Sequence, residues 1–428
     1  MTSTAAAPAV PPSRALAPDV LIAGGGLAGA TLALALKQGG LTPLVIDPQP
    51  PAETLAPTFD GRSTAVAFSS FRMLKALGMG EALTPHACRM DRILVTDGRH
   101  PGAASAPPSP AFLRFDADEI ADRTDGEPLG YLIENRRIRL AQAEAMSRAG
   151  VDLRAPARLT DLKLERDRVT ARLDDGTAVR APLVVAADGR GSAVRAAAGI
   201  DTVGWGYGQS GVVATVRLEQ AHGHVAHEYF LPAGPFAILP LTDRRASLVW
   251  TESTRRAEAL KAASDAAFLS HLRRRFGEFL GQVTVEGPRF VYPLSLELAE
   301  ALTGPRAALV GDAAHGVHPV AGQGLNMGLK DVAALTEVLV EAARRGEDIG
   351  SSAVLDRYAR WRRFDNVTLA AGFDGFVRLF SNDLPPVRLL RGLGMAMVNR
   401  VAPLRRAFMQ EAGGAAGDLP RLLRGEAV

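Results

Sequence analysis

The 428-residue sequence has one cysteine, Cys88, and a formal net charge of only +3. A single cysteine excludes an internal disulfide and any metal site built from several cysteines. The small charge, without a dense basic block, argues against nucleic acid as a partner. Long apolar runs are also missing, because the uncharged stretch 20–36 is interrupted by glycines and predicts a strand, a turn and a buried helix. The Ala/Pro-rich residues 1–17 lack the apolar segment of a secretory signal, so we expect a disordered tail and a cytoplasmic protein.

A glycine fingerprint lies near the N-terminus. Gly24, Gly26 and Gly29 follow an apolar run and open a predicted helix over 27–38, in the spacing G-x-G-x-x-G. Glycines at these positions allow the backbone to approach a pyrophosphate, and the helix N-terminus attracts its negative charge. Asp47 ends the next predicted strand, where it can accept hydrogen bonds from a ribose. The motif predicts a dinucleotide but does not separate NAD from FAD, and an ordinary glycine-rich turn is the alternative.

A second segment follows the predicted buried strand 183–187. Asp188 and Gly189 end that strand, and Ser192 and Arg195 come next at helical spacing. Taken alone, this pattern is equally typical of a capped helix after a strand. Its place after a parallel strand favours ligand binding, because α/β folds bind ligands at the carboxyl ends of their strands.

The third segment, 311–331, is the most specific. Gly311 and Asp312 follow a buried-type strand, and the acid can bind a sugar or ribityl hydroxyl. A helix predicted to begin near Gly324 would direct its positive N-terminal end at a planar ring and favour negative charge there. The alternative for this segment is a metal site, with His315 and His318 as ligands. No further ligand lies at helical spacing from them, so we expect no metal.

In order, the three segments resemble the signatures of the FAD-dependent aromatic hydroxylases related to p-hydroxybenzoate hydroxylase: GxGxxG, DGxxSxxR and GD. The sequence HPVAGQGLNMGLKD at 318–331 resembles, more narrowly, the signature of the ubiquinone-biosynthesis hydroxylases. Shorter stretches at 60–62, 130–136 and 230–241 agree. The resemblance extends from residue 18 to the C-terminal helices.

The resemblance implies FAD as cofactor and NAD(P)H as a transiently bound co-substrate. The expected FAD-binding residues, in chain order, are Gly24, Gly26, Gly29, Asp47, Arg62, Asn135, Asp188, Gly189, Arg195, Gly311, Asp312, Pro319, Gly322, Gln323, Gly324, Leu325 and Asn326. The first four would bind the ADP half, Asp312 the ribityl chain, and the residues from Pro319 onward the isoalloxazine. Arg62 and Asn135 would line the approach to the flavin. Asp188 and Gly189 would lie between FAD and the nicotinamide, with Arg195 supporting their loop.

The implied reaction is hydroxylation of a polyprenylated phenol on the path to ubiquinone, using NAD(P)H and O₂ via a flavin hydroperoxide. The sequence assigns no catalytic residue, and His224, His227 and Tyr229 are expected to be structural. Two alternatives stay open: a non-catalytic FAD-binding subunit of a quinone-biosynthesis assembly, and a flavin reductase or halogenase of the same fold. The ring carbon, the choice of NADH or NADPH and the oligomeric state are not predicted.

The expected fold is α/β, with a Rossmann-like FAD-binding domain, an inserted antiparallel β-sheet substrate domain and a helical C-terminal region. Its inserted strands are predicted at 211–217, 226–231, 236–240, 246–251 and 288–293, interrupted by helix at 254–276. The predicted organisation is a tail at 1–17, FAD-binding parts at 18–97, 130–202 and 296–350, a loop and substrate-domain segment at 98–129, a substrate sheet at 203–295, and helices at 351–428.

The C-terminal region near 375–410 combines arginines with apolar residues. It is either a helical cap packed on the flavin domain or a surface for anionic lipid or a lipid-carrying partner. The expected partners are therefore the hydrophobic prenylphenol and, as a hypothesis, a membrane surface or a quinone-biosynthesis complex. In that case the protein would be peripheral on the inner face of the membrane.

Overall fold

A computed structural model describes residues 15–97, 112–124, 126–231, 233–317, 322–363, 394–395, 397–414 and 417–428. The strands are β1 Val20–Ala23, β2 Pro43–Ile46, β3 Ser63–Ala67, β4 Cys88–Met90, β5 Arg92–Asp97, β6 Phe112–Asp116, β7 Gly130–Glu134, β8 Asp152–Arg154, β9 Leu159–Leu164, β10 Val169–Leu173, β11 Ala178–Ala181, β12 Leu183–Ala186, β13 Thr202–Leu218, β14 Val225–Leu231, β15 Gly234–Leu241, β16 Arg245–Ser253, β17 Val283–Ala299, β18 Thr303–Gly304, β19 Ala307–Leu309 and β20 His315–Gly316. The first ten helices are α1 Leu27–Gln38, α2 Pro51–Thr54, α3 Phe68–Leu74, α4 Gly80–Leu83, α5 Ala121–Thr124, α6 Asn135–Ala149, α7 Ala193–Ala197, α8 Thr254–Ala262, α9 Asp265–Phe276 and α10 Gln323–Arg344.

A six-stranded sheet forms the centre of the first domain, in the order β18-β19-β12-β1-β2-β8. All its pairs are parallel except β18 with β19. Both faces of the sheet are covered: Val20 and Ile22 pack in one core with α1, α6 and α10, while Leu21 and Ala23 pack in another against β10 and β11. Burial on both sides explains the continuous apolar strands in the sequence. The α/β prediction is confirmed.

The second large sheet has eight strands in the order β20-β17-β13-β16-β15-β14-β5-β6. Its pairs are antiparallel except β14 with β5, which are parallel. β13 and β17 are 17 residues long, much longer than the predicted 211–217 and 288–293. β5 and β6 precede the insertion in sequence and extend this sheet at its edge. β6 lies in the predicted substrate-domain segment 98–129, whereas β5 lies in the range 18–97 that was predicted for the FAD-binding domain.

Two helices cover one face of the eight-stranded sheet. The predicted helical stretch 254–276 is divided into α8 and α9, because Ala263 is extended and the Ser264 side chain caps α9 by accepting from the backbone N–H of Ala267. Phe268 of α9 packs against Trp250 of β16 at this contact between helix and sheet. The opposite face packs against the three-stranded sheet β3-β7-β4, on the side of the first domain. Ala226 of β14 lies there in one cluster with Leu132 of β7.

The C-terminal region is helical where it is described, at 352–363, 397–400, Ala402–Ala412 and Arg421–Arg424. Residues 364–393, which include part of the predicted lipid surface, lie outside the described residues, as do the predicted loop 98–110 and residues 1–14 of the predicted tail. Leu16 of that tail bridges to Val179 in β11. Within the described ranges, no helix combines the length and apolar character needed to cross a bilayer.

Candidate functional site

Four loops meet at the carboxyl edge of the six-stranded sheet. They follow β1, β2, β12 and β19, and each carries one part of the sequence motifs. β1 lies between β2 and β12, so the chain first adds a strand on one side of β1 and later on the other. Ligands of open α/β sheets bind at such a reversal of strand order. The fold thus brings the three separate sequence segments together at one edge.

The three fingerprint glycines have different roles. Gly24 has φ +100°, and a Cβ there would lie 2.3 Å from the carbonyl oxygen of Ala187. A Cβ on Gly29 would lie 1.9 Å from the carbonyl oxygen of Gly24. A Cβ on Gly26, in contrast, would meet nothing within 4 Å. Gly24 and Gly29 are therefore required by the fold itself, whereas Gly26 keeps open a space outside the protein, where a ligand can approach the backbone.

Asp47 holds the fingerprint turn in place. One carboxylate oxygen accepts from the backbone N–H of Gly25 at 2.7 Å, and the other from that of Gln49 at 2.8 Å. Its contact with a ribose stays a prediction. The N-terminus of α1 beside it has no side-chain cap and no acid in its first turn. Such a helix end is suited to a phosphate, because its backbone N–H groups have no intrahelical partners.

Two side chains of the loop after β12 cap the N-terminus of α7. Asp188 Oδ2 accepts from the backbone N–H of Ala193 at 2.8 Å, and Ser192 Oγ accepts from that of Arg195 at 3.0 Å. This is the capped helix that the sequence left open as an alternative. However, Asp188 Oδ1 is buried and has no hydrogen-bond partner among the described residues, and Gly189 has φ +82°. An unsatisfied buried acceptor in a ligand-facing turn is a position for a donor from a ligand or water.

Two arginines join this loop to the loop after β19. Arg195 is buried and donates to the carbonyl oxygen of Ala313 at 2.9 Å and to Glu297 Oε1 at 2.7 Å. Arg190 donates to the carbonyl oxygen of Val317 at 3.1 Å, and its Nε lies 3.8 Å from Asp312 Oδ2. The side chain of Asp312 is itself 54% exposed on a loop that is otherwise buried. It therefore remains accessible to a ligand.

Small residues allow three ligand-facing segments to touch. A Cβ on Gly328 of α10 would lie 3.1 Å from Gly311 Cα, and a Cβ on Gly311 would lie 3.3 Å from Ala28 Cβ in α1. Any larger side chain at these positions would separate α1, α10 and the loop after β19. Both glycines are therefore required by this packing, and the contact of Gly311 with FAD stays a prediction.

A buried charge cluster fixes the same loop to α10. Asp331 Oδ2 accepts from the backbone N–H of Gly311 at 3.1 Å and contacts His315 Nε2 at 2.5 Å, while Oδ1 accepts from Arg362 Nε at 2.9 Å. Burial alone would raise the pKa of Asp331, but His315 and Arg362 lower it to about 2. Burial also lowers the pKa of His315, yet the Asp331 carboxylate outweighs it and raises that pKa above its ordinary value.

The metal alternative for the histidine pair has no support in the described part of the chain. His315 is engaged with Asp331, and His318 lies outside the described residues. The described residues contain no group of three or more His, Cys, Asp or Glu side chains that could hold a metal ion.

The N-terminus of α10 is anchored on β3. The helix begins at Gln323, followed by Gly324 and Leu325 in its first turn, and it has no side-chain cap and no first-turn acid. Gly322 has φ +63°, and a Cβ there would lie 2.9 Å from Ala65 Cβ. Asn326 Oδ1 accepts from the backbone N–H of Ala67 at 2.9 Å, and Nδ2 donates to the carbonyl oxygen of Ala65 at 2.8 Å. Asn326 therefore positions the helix end, and Pro319 lies outside the described residues.

Arg62 and Asn135 belong to a cluster around the buried Asp60. The Asp60 carboxylate accepts from Arg62 at 2.9 and 3.0 Å, from Arg139 at 2.8 Å and from Asn135 at 3.2 Å. Burial would raise the pKa of Asp60, but its two arginines hold it well below its ordinary value. The Arg62 guanidinium also lies 4.6 Å from the centre of the Tyr292 ring in β17. The cluster joins the loop before β3 and the helix α6 to the eight-stranded sheet.

Known proteins match this chain in sequence. The FAD binding domain family matches residues 17–366. The chain is 47% identical over 411 residues to ubiquinone hydroxylase UbiL of Rhodospirillum rubrum, covering 95% of this chain and 92% of the relative. It is 37% identical over 398 residues to 3-demethoxyubiquinol 3-hydroxylase of Escherichia coli, and the match covers 92% of this chain and 98% of the relative. The chain belongs to the FAD-dependent hydroxylases of ubiquinone biosynthesis.

The fold of this hydroxylase also matches that of p-nitrophenol 4-monooxygenase PnpA from Pseudomonas putida DLL-E4. The TM-score is 0.77 at 19% identity, and the match covers 95% of this chain and 100% of the other. At that identity the likeness concerns the fold alone. The family resemblance expected from the sequence is confirmed, as are FAD as cofactor and the monooxygenase class of the enzyme.

Sequence reasoning missed several residues of the site. Arg190 and Arg139 act through contacts between segments distant in sequence, which no local pattern reveals. Asp331 ends the signature at 318–331, but its contacts with Gly311 and His315 were not predicted. The orientation of Glu228 in β14 was not predicted either, although the sequence contains a signal for it. It lies between His227 and Tyr229, so alternation along the strand directs its side chain to the opposite face of the sheet from theirs.

We predict that Asp331→Asn lowers the free energy of unfolding by about 3–5 kcal/mol, because it removes the buried carboxylate that pairs with Arg362 and His315. The measurement is chemical denaturation at saturating FAD. The matched control is Glu341→Gln on the same helix, whose exposed pair with Arg345 should contribute less than about 0.5 kcal/mol.

The same substitution should also change how the stability of the protein depends on pH in the acid range. The Asp331 pKa is lowered to about 2 in the folded state, so its stabilisation is complete above the unfolded value of about 3.9 and is lost as the pH falls toward 2. The Asp331→Asn protein should lack this part of the acid destabilisation. Equal stability of the two proteins at pH 7 would contradict the assigned role of Asp331.

We further predict that Gly26→Val folds normally and loses FAD. The new side chain meets no protein atom within 4 Å and the backbone there, with φ −68° and ψ −172°, accepts a β-branched residue, so only a ligand in the open space can clash with it. FAD occupancy is measured by absorbance and titration, and folding by circular dichroism. Gly206→Val, an exposed strand position that is equally open, should keep full occupancy. Full occupancy in Gly26→Val would contradict this FAD position.

Proposed function

We propose that the protein hydroxylates the aromatic ring of a polyprenylated phenol intermediate of ubiquinone biosynthesis, with NAD(P)H and O₂ as co-substrates. The observation that carries the proposal is the convergence of the four carboxyl-end loops and the uncapped N-terminus of α10 opposite the eight-stranded sheet. The relatives named for quinone hydroxylation match almost the whole chain, and so support this substrate class.

The residues at the carboxyl edge fit FAD along its length. In this proposal the N-terminus of α1 and the open space at Gly26 receive the pyrophosphate, and Asp47 the adenosine ribose. The exposed carboxylate of Asp312 faces the ribityl hydroxyls. The N-terminus of α10, from Gly322 to Leu325, faces the isoalloxazine with its positive end, which favours negative charge on a reduced ring.

The loop with Asp188 and Gly189 is proposed to lie between FAD and the nicotinamide. When bound, FAD supplies electron transfer from NAD(P)H and the activation of O₂. The protein supplies orientation and exclusion of water. Arg195 holds the loop to Glu297 of β17, so the edge that receives the nicotinamide is fixed to the sheet that receives the phenol. Asp60 and Arg62 close the same region from the side of Tyr292.

A prenylphenol should therefore stimulate NAD(P)H oxidation by the purified protein and yield a product with one oxygen atom derived from ¹⁸O₂. The measurement is cofactor absorbance together with mass spectrometry of the product. A prenylated anisole that carries no phenolic hydroxyl serves as the control substrate. FAD binding without stimulated oxidation would favour the non-catalytic subunit, and stimulated oxidation without an oxygenated product would favour a reductase.

We also propose that the C-terminal helical segment contacts lipid. Met397, Val401 and Phe408 are 62%, 39% and 50% exposed. Helical hydrogen bonds run from Val401 to Met397 and from Arg405 to Val401, so these apolar side chains, spaced four and seven residues apart, lie on one face. Arg405, four residues after Val401 on the same side of the helix, is paired with Glu119 at 2.6 Å, so this pair fixes one edge of the exposed face to the rest of the protein.

Exposed apolar residues next to basic ones are suited to an anionic membrane surface. Arg400 and Arg406 are exposed on this segment. A surface of this kind would bring the protein to the inner face of the membrane, where a water-insoluble prenylphenol is concentrated. Attachment to other proteins of the quinone pathway is the alternative that the same surface allows.

The triple substitution Met397→Ser, Val401→Ser and Phe408→Ser should reduce flotation with anionic liposomes about tenfold while FAD content is unchanged, because each removes apolar area from the lipid contact. Arg400→Gln with Arg406→Gln should reduce binding at low salt and have less effect at high salt. Val203→Ser, at an exposed apolar position on β13, is the control. Equal flotation of all variants, or none by the wild type, would contradict the lipid surface.

A further inference from the structure

Glu228 is an acid on the apolar inner face of the eight-stranded sheet. Its Cα partners are Val95 in β5 and Ala237 in β15. The neighbours on its own strand, His227 and Tyr229, belong to the other face, where Tyr229 packs in the core under α8 and α9 and His227 contacts Phe279. Because successive side chains of a strand alternate, Glu228 projects toward the FAD-binding domain.

The residues on either side of Glu228 show where this face points. Ala226 packs in a cluster with Ala65 and Leu132 of the three-stranded sheet. Ala65 is the residue that contacts Gly322 and bonds to Asn326 at the N-terminus of α10. Glu228 is the next side chain after Ala226 on the same face of β14. It therefore lies close to the residues that support the proposed isoalloxazine site.

The other neighbour, Phe230, packs with Val95 and Met395. Met409 forms the next cluster with Ile120, and Ile93 packs against both clusters. An apolar path thus continues from Phe230 to the exposed C-terminal segment.

The carboxyl of Glu228 has no hydrogen bond or ion pair with any described residue. The residue keeps some accessible surface, and burial raises its pKa to about 8. Among the described side chains, the Cys88 thiol of β4 is a further titratable group that packs against this face, and burial and Asp91 raise its pKa to about 11. An unpaired carboxyl in apolar surroundings is costly to keep, which points to a function.

We propose that Glu228 contacts the ring hydroxyl of the phenolic substrate and accepts its proton during hydroxylation. The phenol O–H bond breaks, the new O–H bond forms on the Glu228 carboxylate, and the electron pair stays on the phenolate oxygen. The ring then becomes more electron-rich and reacts faster with an electrophilic oxygen. The inference rests on the proposed function.

The apolar surroundings make this transfer efficient. An ordinary glutamate, with a pKa of about 4.3, is a weak base toward a phenol of pKa about 10. Burial raises the pKa of Glu228 and so brings it closer to that of the phenol. Proton transfer is fastest when the pKa of the base lies near the working pH. Glu228 is ionised above its raised pKa, so turnover should increase as the pH rises through about 8.

The test is Glu228→Gln, which keeps shape and removes the base. FAD content and NAD(P)H binding should be unchanged, while kcat with a short-chain prenylphenol should fall about 10²-fold and lose its rise near pH 8. Ring-fluorinated prenylphenols have more acidic hydroxyls, so the deficit should shrink along that series. Tyr229→Phe, the adjacent position on the other face, should keep kcat and the pH profile of the wild type.

A direct readout is the infrared difference spectrum when prenylphenol binds to the anaerobic oxidised enzyme at pH 9. In the wild type the phenol hydroxyl should donate to the Glu228 carboxylate and shift a carboxylate band, and Glu228→Gln should not show this shift. Unchanged kcat and pH profile in Glu228→Gln, or an identical band shift in both proteins, would overturn the proposal. If the wild type does not hydroxylate the phenol, the proposed function fails instead, and the infrared comparison still decides whether Glu228 contacts the phenol.

Discussion

The carboxylate of Asp331 is the interaction on which the candidate site depends. It accepts from the Gly311 backbone, from His315 and from Arg362, and so joins the loop after β19, the helix α10 and the helical residues 352–363. Each of these partners would be costly to bury alone, because an unpaired charge or backbone donor loses its hydration without compensation. Together they hold two backbone segments in fixed positions, so that Asp312 and the N-terminus of α10 can face one ligand.

A second level of organisation connects the two sheets. Asp60 binds Arg62 and Arg139 on the side of the FAD-binding domain, and Arg62 stacks on Tyr292 of the eight-stranded sheet. Arg195 makes a corresponding link from the loop after β12 to Glu297. Buried arginine–carboxylate pairs are geometrically restrictive, since the planar guanidinium fixes both distance and orientation. The space between the sheets is therefore bounded by charged links at its sides, while its sheet wall is largely apolar.

The eight-stranded sheet divides its functions between its faces. The face under α8 and α9 carries Trp250, Phe236 and Tyr229 and forms a conventional hydrophobic core. The face toward the FAD-binding domain carries smaller apolar residues and the single acid Glu228 along β14. This division allows one strand to stabilise the fold with alternate residues and to present chemistry with those between them. It also explains why His227 and Tyr229, chosen from the sequence by residue type, are structural.

The sequence by itself determined the local features. The glycine turns after β1 and β19, the continuous apolar strands and the start of α10 follow from backbone conformation and short-range periodicity, so the α/β fold, the FAD cofactor and the family were accessible from it. Only the tertiary structure decided which distant residues meet. The pairing of Asp331 with Arg362, the addition of β5 beside β14 and the length of β13 depend on long-range packing and strand register, which no local window contains. Asn326 shows the same limit: its amide bonds to the β3 backbone, a contact across 259 residues that the sequence did not predict, while its contact with the isoalloxazine stays a prediction.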